Sequence, residues 1–120
     1  MAGARALQRY VDDGSAGVAA ARLLVLLYER LDRDLEVAAE AVVEGRIPEA
    51  HEALVHAQAI VFELDIALDV EVWDGAHALR RIYRWLDSEL IIANMHKDVV
   101  RIRGCRSVVG PLLEAWTSAQ

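Results

Sequence analysis

Cysteine occurs once in these 120 residues, phenylalanine once and proline twice. A single thiol, Cys105, cannot close an internal disulfide, so a reducing, cytoplasmic setting is expected. Only Arg103 and Arg106 nearby favour a reactive thiol. The plainer expectation is a small buried residue, because free cysteine packs like a hydrophobe. Prolines only at 48 and 111, with no sustained β-branched alternation, leave little case for strands. Charges interrupt every apolar stretch well short of the roughly 20 residues a membrane span needs. The opening Met-Ala-Gly-Ala-Arg-Ala-Leu-Gln-Arg-Tyr has no apolar run followed by a cleavage site, so export is not expected.

What is present is apolar: 55% of the chain, enough to fold, in a length that suits one domain. The net charge of −6 is unevenly spread, with six arginines against fifteen acids before residue 80 and seven bases against four acids after it. A basic half invites a nucleic-acid reading. Yet Arg80-Arg81-Arg84 and Arg101-Arg103-Arg106 lie near the starts of successive helices, at opposite ends if those helices are antiparallel. No interleaving of bases with aromatics supports stacking, and no nucleic-acid partner is expected.

The chemistry of catalysis is equally thin. His51, His56, His77 and His96 could seed a metal site, but helical carboxylate sites need paired Glu-x-x-His units. The chain offers only Asp74-Gly-Ala-His77 at a helix start, and Glu52 with His56 four apart. Solvated or boundary histidines are expected instead, with no metal and no cofactor. There is no phosphate-binding glycine loop and no Gly-x-Ser-x-Gly, so no enzyme is expected.

Four helices account for the periodicity. The first is predicted from about Val18 to Glu44, on Leu24, Leu27, Tyr28, Leu31, Leu35, Ala38 and Val42, with Gly45 as its stop. Pro48 opens the second in its first turn, and that helix reaches about Asp69. Asp74 is expected to cap the third, whose inward stripe is Leu79, Ile82, Tyr83, Leu86, Leu90 and Ala93; Trp73 could staple its start. The fourth, about Asp98 to Ser118, carries Val99, Ile102, Val109, Leu113 and Trp116, with a kink or split expected at Gly110-Pro111. Short connections favour an antiparallel up-down four-helix bundle over residues 18–120. Residues 1–17 read as a mobile arm with Leu7, Tyr10 and Val11.

The second helix has more apolar surface than one core can take. Ala57, Ile60, Val61, Leu64 and Leu68 form the expected stripe; Val55, Ala59, Phe62 and Ile66 form another, turned well away. A neighbouring segment, another copy of the chain or a client must cover it, which points to a binding protein. Gln58 and Asn94 stand beside the apolar stripes. Each is either an internal hydrogen bond that fixes helix register or an amide for the backbone of an extended client. Tyr10, alone in a polar arm, is expected to anchor it. Trp85 and Trp116 are expected at the core or its edge.

Several pieces, in order, resemble one family. They are Tyr10; Leu23-Leu24-Val25-Leu26-Leu27-Tyr28; Ala38-Ala39-Glu40-Ala41-Val42; and Ala57-Gln58-Ala59-Ile60-Val61-Phe62-Glu63-Leu64. Leu68-Asp69, Ile82-Tyr83-Arg84-Trp85-Leu86, Glu89-Leu90-Ile91-Ile92-Ala93-Asn94, Asp98 and Leu113-Glu114-Ala115-Trp116 follow. Together they are similar to the flagellar secretion chaperones, FliS. The resemblance implies a cytoplasmic, non-catalytic helical chaperone that holds the C-terminal segment of flagellin, prevents early polymerisation and presents it to the flagellar export gate. It also implies that the tyrosine-bearing arm covers part of the client's groove when no client is bound. Tyr10, Val55, Gln58, Ala59, Phe62, Ile66 and Asn94 are then the expected partner-binding residues, on a monomer or weak dimer. Two features depart from the family: Ala19-Ala20 stands where Ser-Pro is usual, and Gly110-Pro111 falls unusually late. The rival reading is a homodimeric structural or regulatory bundle that buries the second stripe against its twin.

Overall fold

A computed structural model describes residues 18–68 and 74–119. Four helices follow in order: α1 Val18–Val43, α2 Ile47–Ala67, α3 Ala76–His96 and α4 Val99–Ala119. Each packs on two neighbours, α1 on α2 and α4, α3 on α2 and α4, which closes a four-helix ring. Cross-helix bonds give the directions. His51 near the start of α2 meets Asn94 near the end of α3, Arg80 near the start of α3 meets Asp65 near the end of α2, and Arg101 of α4 meets Glu89 of α3. Neighbours are therefore antiparallel, as three-residue and two-residue connections demand.

The helix ends follow from local chemistry. Gly45 takes φ +74°, and Arg46 N–H reaches back to the Ala41 carbonyl, closing α1 in the left-handed turn that glycine enters without steric cost. Pro48 occupies the first turn of α2, where no intrahelical N–H is lost. Asp98 accepts from the N–H groups of Val100 and Arg101 at 3.0 and 3.2 Å and so caps α4.

Two local expectations need correction, the first wholly and the second in part. Asp74 does not cap α3: the cap is Gly75, with no side-chain bond, and the first helical bond runs from Leu79 N–H to the Gly75 carbonyl. Asp74 sits one residue too early for its carboxylate to reach the second or third amide of the helix. Of the kink or split expected at Gly110-Pro111, the split does not occur, since α4 runs unbroken through Pro111. Pro111 lies on the exposed face, and Gly110 before it has no Cβ to crowd the ring. At the other departure from the family pattern, Ala19 and Ala20 lie inside α1, helical from Val18. Trp73 lies outside the described residues.

The core is aromatic at its centre and aliphatic around it. Tyr28 of α1 and Tyr83 of α3 sit diagonally across the ring, hydroxyl to hydroxyl at 2.6 Å, and the Trp116 ring of α4 lies 6.2 Å from that of Tyr28. Leu31, Leu35, Leu54, Val61, Leu86, Leu90, Ile102 and Val109 fill the layers above and below. Of the expected stripes, Leu24, Leu27, Val42, Ile82, Val99 and Leu113 are only half-buried at the margins. Outside, several bases pair with acids: Arg106 holds Asp32 and Glu36, and Arg101 holds Glu89 and Asp98. The hydrogen bond to Asp32 is the main cause that raises the Arg106 guanidinium above its usual range.

Cys105 is wholly buried. Burial, with Glu89 adding to it, pushes its thiol up to about 12, and burial likewise pushes Tyr28 up to about 12 against its bonds to Tyr83 and Trp116. Both groups bind their protons more tightly folded than unfolded. Stability is therefore expected to be intact below the ordinary values of 9.0 and 10.0 and to fall as pH rises from there towards 12. Urea unfolding at pH 8, 10 and 11 checks this, and Cys105→Ala should flatten the first part of the decline. At pH 7.5 the native protein should resist iodoacetamide until it is unfolded.

Candidate functional site

Helix α2 carries apolar side chains around most of its circumference. Ala50, Ala53, Leu54, Ala57, Ile60, Val61 and Leu64 are buried. At about 100° per residue, Val55, Ala59, Phe62 and Ile66 rise along a different line, pointing away from the core. None of the described residues covers them: Val55 is 46% exposed, Phe62 65% and Ile66 64%, and Ala59 is exposed as well. The chain's only phenylalanine thus stands in water. Exposing a Phe and an Ile in this way forgoes roughly 1.5–3 kcal/mol of burial each.

Beside this ridge, between α2 and α3, runs an open groove of about 410 Å³ lined by His51, Gln58, Ile91, Asn94, Met95 and Lys97. Its polar groups are organised unequally. The Asn94 amide meets His51 Nδ1 across the helix gap at 3.0 Å, and Lys97 Nζ donates to the Asn94 side-chain oxygen at 2.8 Å. Lys97 is held there by a left-handed backbone, φ 50° and ψ 49°, where α3 ends. Gln58, half-buried in the same groove, has no hydrogen bond among the described residues. The two amides therefore differ: Asn94 takes part in helix register, whereas Gln58 keeps donor and acceptor open.

The structure brings Gln58 and Asn94 into one groove and sets Val55, Ala59, Phe62 and Ile66 as a convex ridge along it; they are not the groove itself. Tyr10 lies outside the described residues. Reading the sequence missed His51, Ile91, Met95 and Lys97. His51 stands seven residues before Gln58, two helical turns on one face, and that spacing could have signalled it; nothing announced Lys97, whose place depends on the left-handed turn. All four histidines are exposed or at a helix boundary. Among the described residues, no three His, Cys, Asp or Glu side chains come together to hold a metal, and no helix is long and apolar enough to cross a membrane.

The exposed ridge and the groove beside it are the most apolar surface of α2 among the described residues. A family model described as flagellar protein FliS matches residues 3–120. The chain belongs to the FliS family. No curated protein matches it by sequence. FliS proteins are flagellar export chaperones, and the family match supports that general role for this chain. The match runs through Ala19-Ala20 and Gly110-Pro111, so neither departure takes the chain out of FliS.

Proposed function

We propose that this protein chaperones flagellin in the cytoplasm by holding its C-terminal segment on the α2 ridge and the adjoining α2–α3 groove. One observation carries the reading: Val55, Phe62 and Ile66 stay open to water beside Gln58, whose amide has no partner among the described residues. Apolar side chains of the client dock on the ridge and its backbone meets the amide, as extended or helical peptides do on grooves of this kind. The client orders its tail on binding. The cost of that ordering limits affinity per unit area and leaves the complex able to release at the export gate, the second partner in this reading.

Light scattering combined with titration calorimetry tests this. A monomer that gains the mass of one flagellin C-terminal peptide, with micromolar or tighter binding and a negative heat-capacity change, is the expected result. A stable dimer whose mass ignores the peptide would instead assign the ridge to a second copy of the chain. A second prediction isolates the amide. Gln58→Leu keeps side-chain size but removes both hydrogen-bonding functions, and should weaken the peptide about fivefold to tenfold without lowering the melting temperature.

A further inference from the structure

Where α3 ends, three side chains settle one another's hydrogen-bonding roles. Lys97 Nζ donates to the Asn94 side-chain oxygen at 2.8 Å and also to the Asn94 main-chain carbonyl. An ammonium group has only protons to offer, so this contact fixes which end of the amide is oxygen. The Asn94 NH2 group is then turned to His51 Nδ1 on α2 at 3.0 Å, closer than the 3.3 Å from that nitrogen to the amide oxygen. A donor at that distance needs a lone pair opposite it. His51 is therefore the neutral imidazole, with its proton on Nε2. Of the residues lining the groove only His51 and Lys97 titrate. Neither makes an ion pair among the described residues. On α2, Glu49 and Glu52 flank His51 in sequence, and Glu49 pairs with Arg46, as does Glu44 just past the end of α1, beyond Glu40. From the α3 side come Asp87, two turns before Asn94, then His96, and Asp98, which caps α4 and holds Arg101.

A proton on His51 breaks this arrangement, because Nδ1–H then faces the Asn94 NH2 group, donor against donor. Turning the amide restores the bond to His51. It leaves Lys97 either facing an NH2 group or sharing one oxygen with a second cation. We infer that His51 is a proton-operated latch on the α2–α3 groove: neutral, it locks the Asn94–Lys97 rim; protonated, it sets Lys97 loose and puts an unpaired imidazolium on the groove wall. A client that covers the groove in acid has to bury that charge with no carboxylate of the chain paired to it, and is held less tightly. This effect on the client rests on the chaperone reading above; the latch itself does not.

Asn94 is the chain's one asparagine and Lys97 its one lysine. Selective isotope labelling therefore gives one side-chain amide and one lysine ε-carbon to follow by NMR from pH 8 to 5, the span over which imidazoles change charge. In wild type both signals are expected to move together with the His51 ring. In His51→Gln, whose side-chain oxygen accepts from Asn94 at every pH, both should keep their neutral-pH positions. In His51→Arg, a donor at every pH, both should sit near the acid positions. Residue 51 is exposed, and circular dichroism checks that the variants keep their helices. Between pH 7.5 and 5.5, wild type should lose about fivefold more affinity for a synthetic flagellin C-terminal peptide than His51→Gln does. An Asn94 amide that stays still while His51 titrates, or that moves as far in His51→Gln, overturns the latch. Signals that switch while wild type and His51→Gln lose affinity alike overturn its hold on the client. If the peptide binds neither protein at any pH, the chaperone reading fails, and the two signals still decide the latch.

Discussion

Phe62→Asp combined with Ile66→Asp is expected to reduce flagellin-peptide affinity at least about a hundredfold while leaving the fold untouched. Each side chain is about two-thirds exposed in the free protein, so its replacement removes nothing that the bundle uses. In a complex the same positions lose roughly 1.5–3 kcal/mol of apolar burial apiece. They also bring carboxylates into a dry contact, at further cost. Helix propensity moves in the protein by only a few tenths of a kcal/mol per site, so circular dichroism and the urea midpoint should stay close to wild type. Calorimetry reads the first quantity and urea unfolding the second. A double variant that binds as wild type does would remove α2 as the docking face.

Trp116→Ala is expected to have the opposite profile. Trp116 is essentially fully buried, with its ring against Tyr28 where α1, α3 and α4 meet. Emptying that space costs transfer energy and leaves a void that three rigid helices cannot close, typically 3–5 kcal/mol for a tryptophan. In a domain of this size the melting temperature should drop by about 10–20 °C. Peptide affinity, measured well below the new midpoint, should change little, because the ring touches no part of the ridge. A loss of less than about 1 kcal/mol in urea would mean that the centre of the bundle repacks more freely than its aromatic cluster implies.

These variants separate what was legible in the chain from what was not. The four helices and most of their inward residues followed from periodicity, because a helix that buries one stripe writes that stripe at steps of three and four. Gly45 and Pro48 were readable for the same reason: each has one backbone habit and the turn requires it. Asp74 was misplaced because a cap depends on where the first amide falls, to within a single residue. At Pro111 the split did not follow, since the proline sits on the exposed face and the glycine before it leaves room for the ring, so the helix continues.

The candidate surface was half legible. Val55, Phe62 and Ile66 announced themselves by being apolar where no core could receive them. The groove partners did not, because Ile91 and Met95 belong to another helix and meet Gln58 only through antiparallel packing. Trp85 was expected at the core or its edge, and it stands at the edge.

Lys97, fixed at the rim of the α2–α3 groove by its bonds to Asn94, is also the one lysine in the chain. Amine-reactive labelling above neutral pH therefore has a single side-chain target, next to the surface a tail would cross. A fluorophore placed there gives a built-in reporter: its emission should shift when cargo arrives and return when cargo departs, with no engineered residue in the molecule.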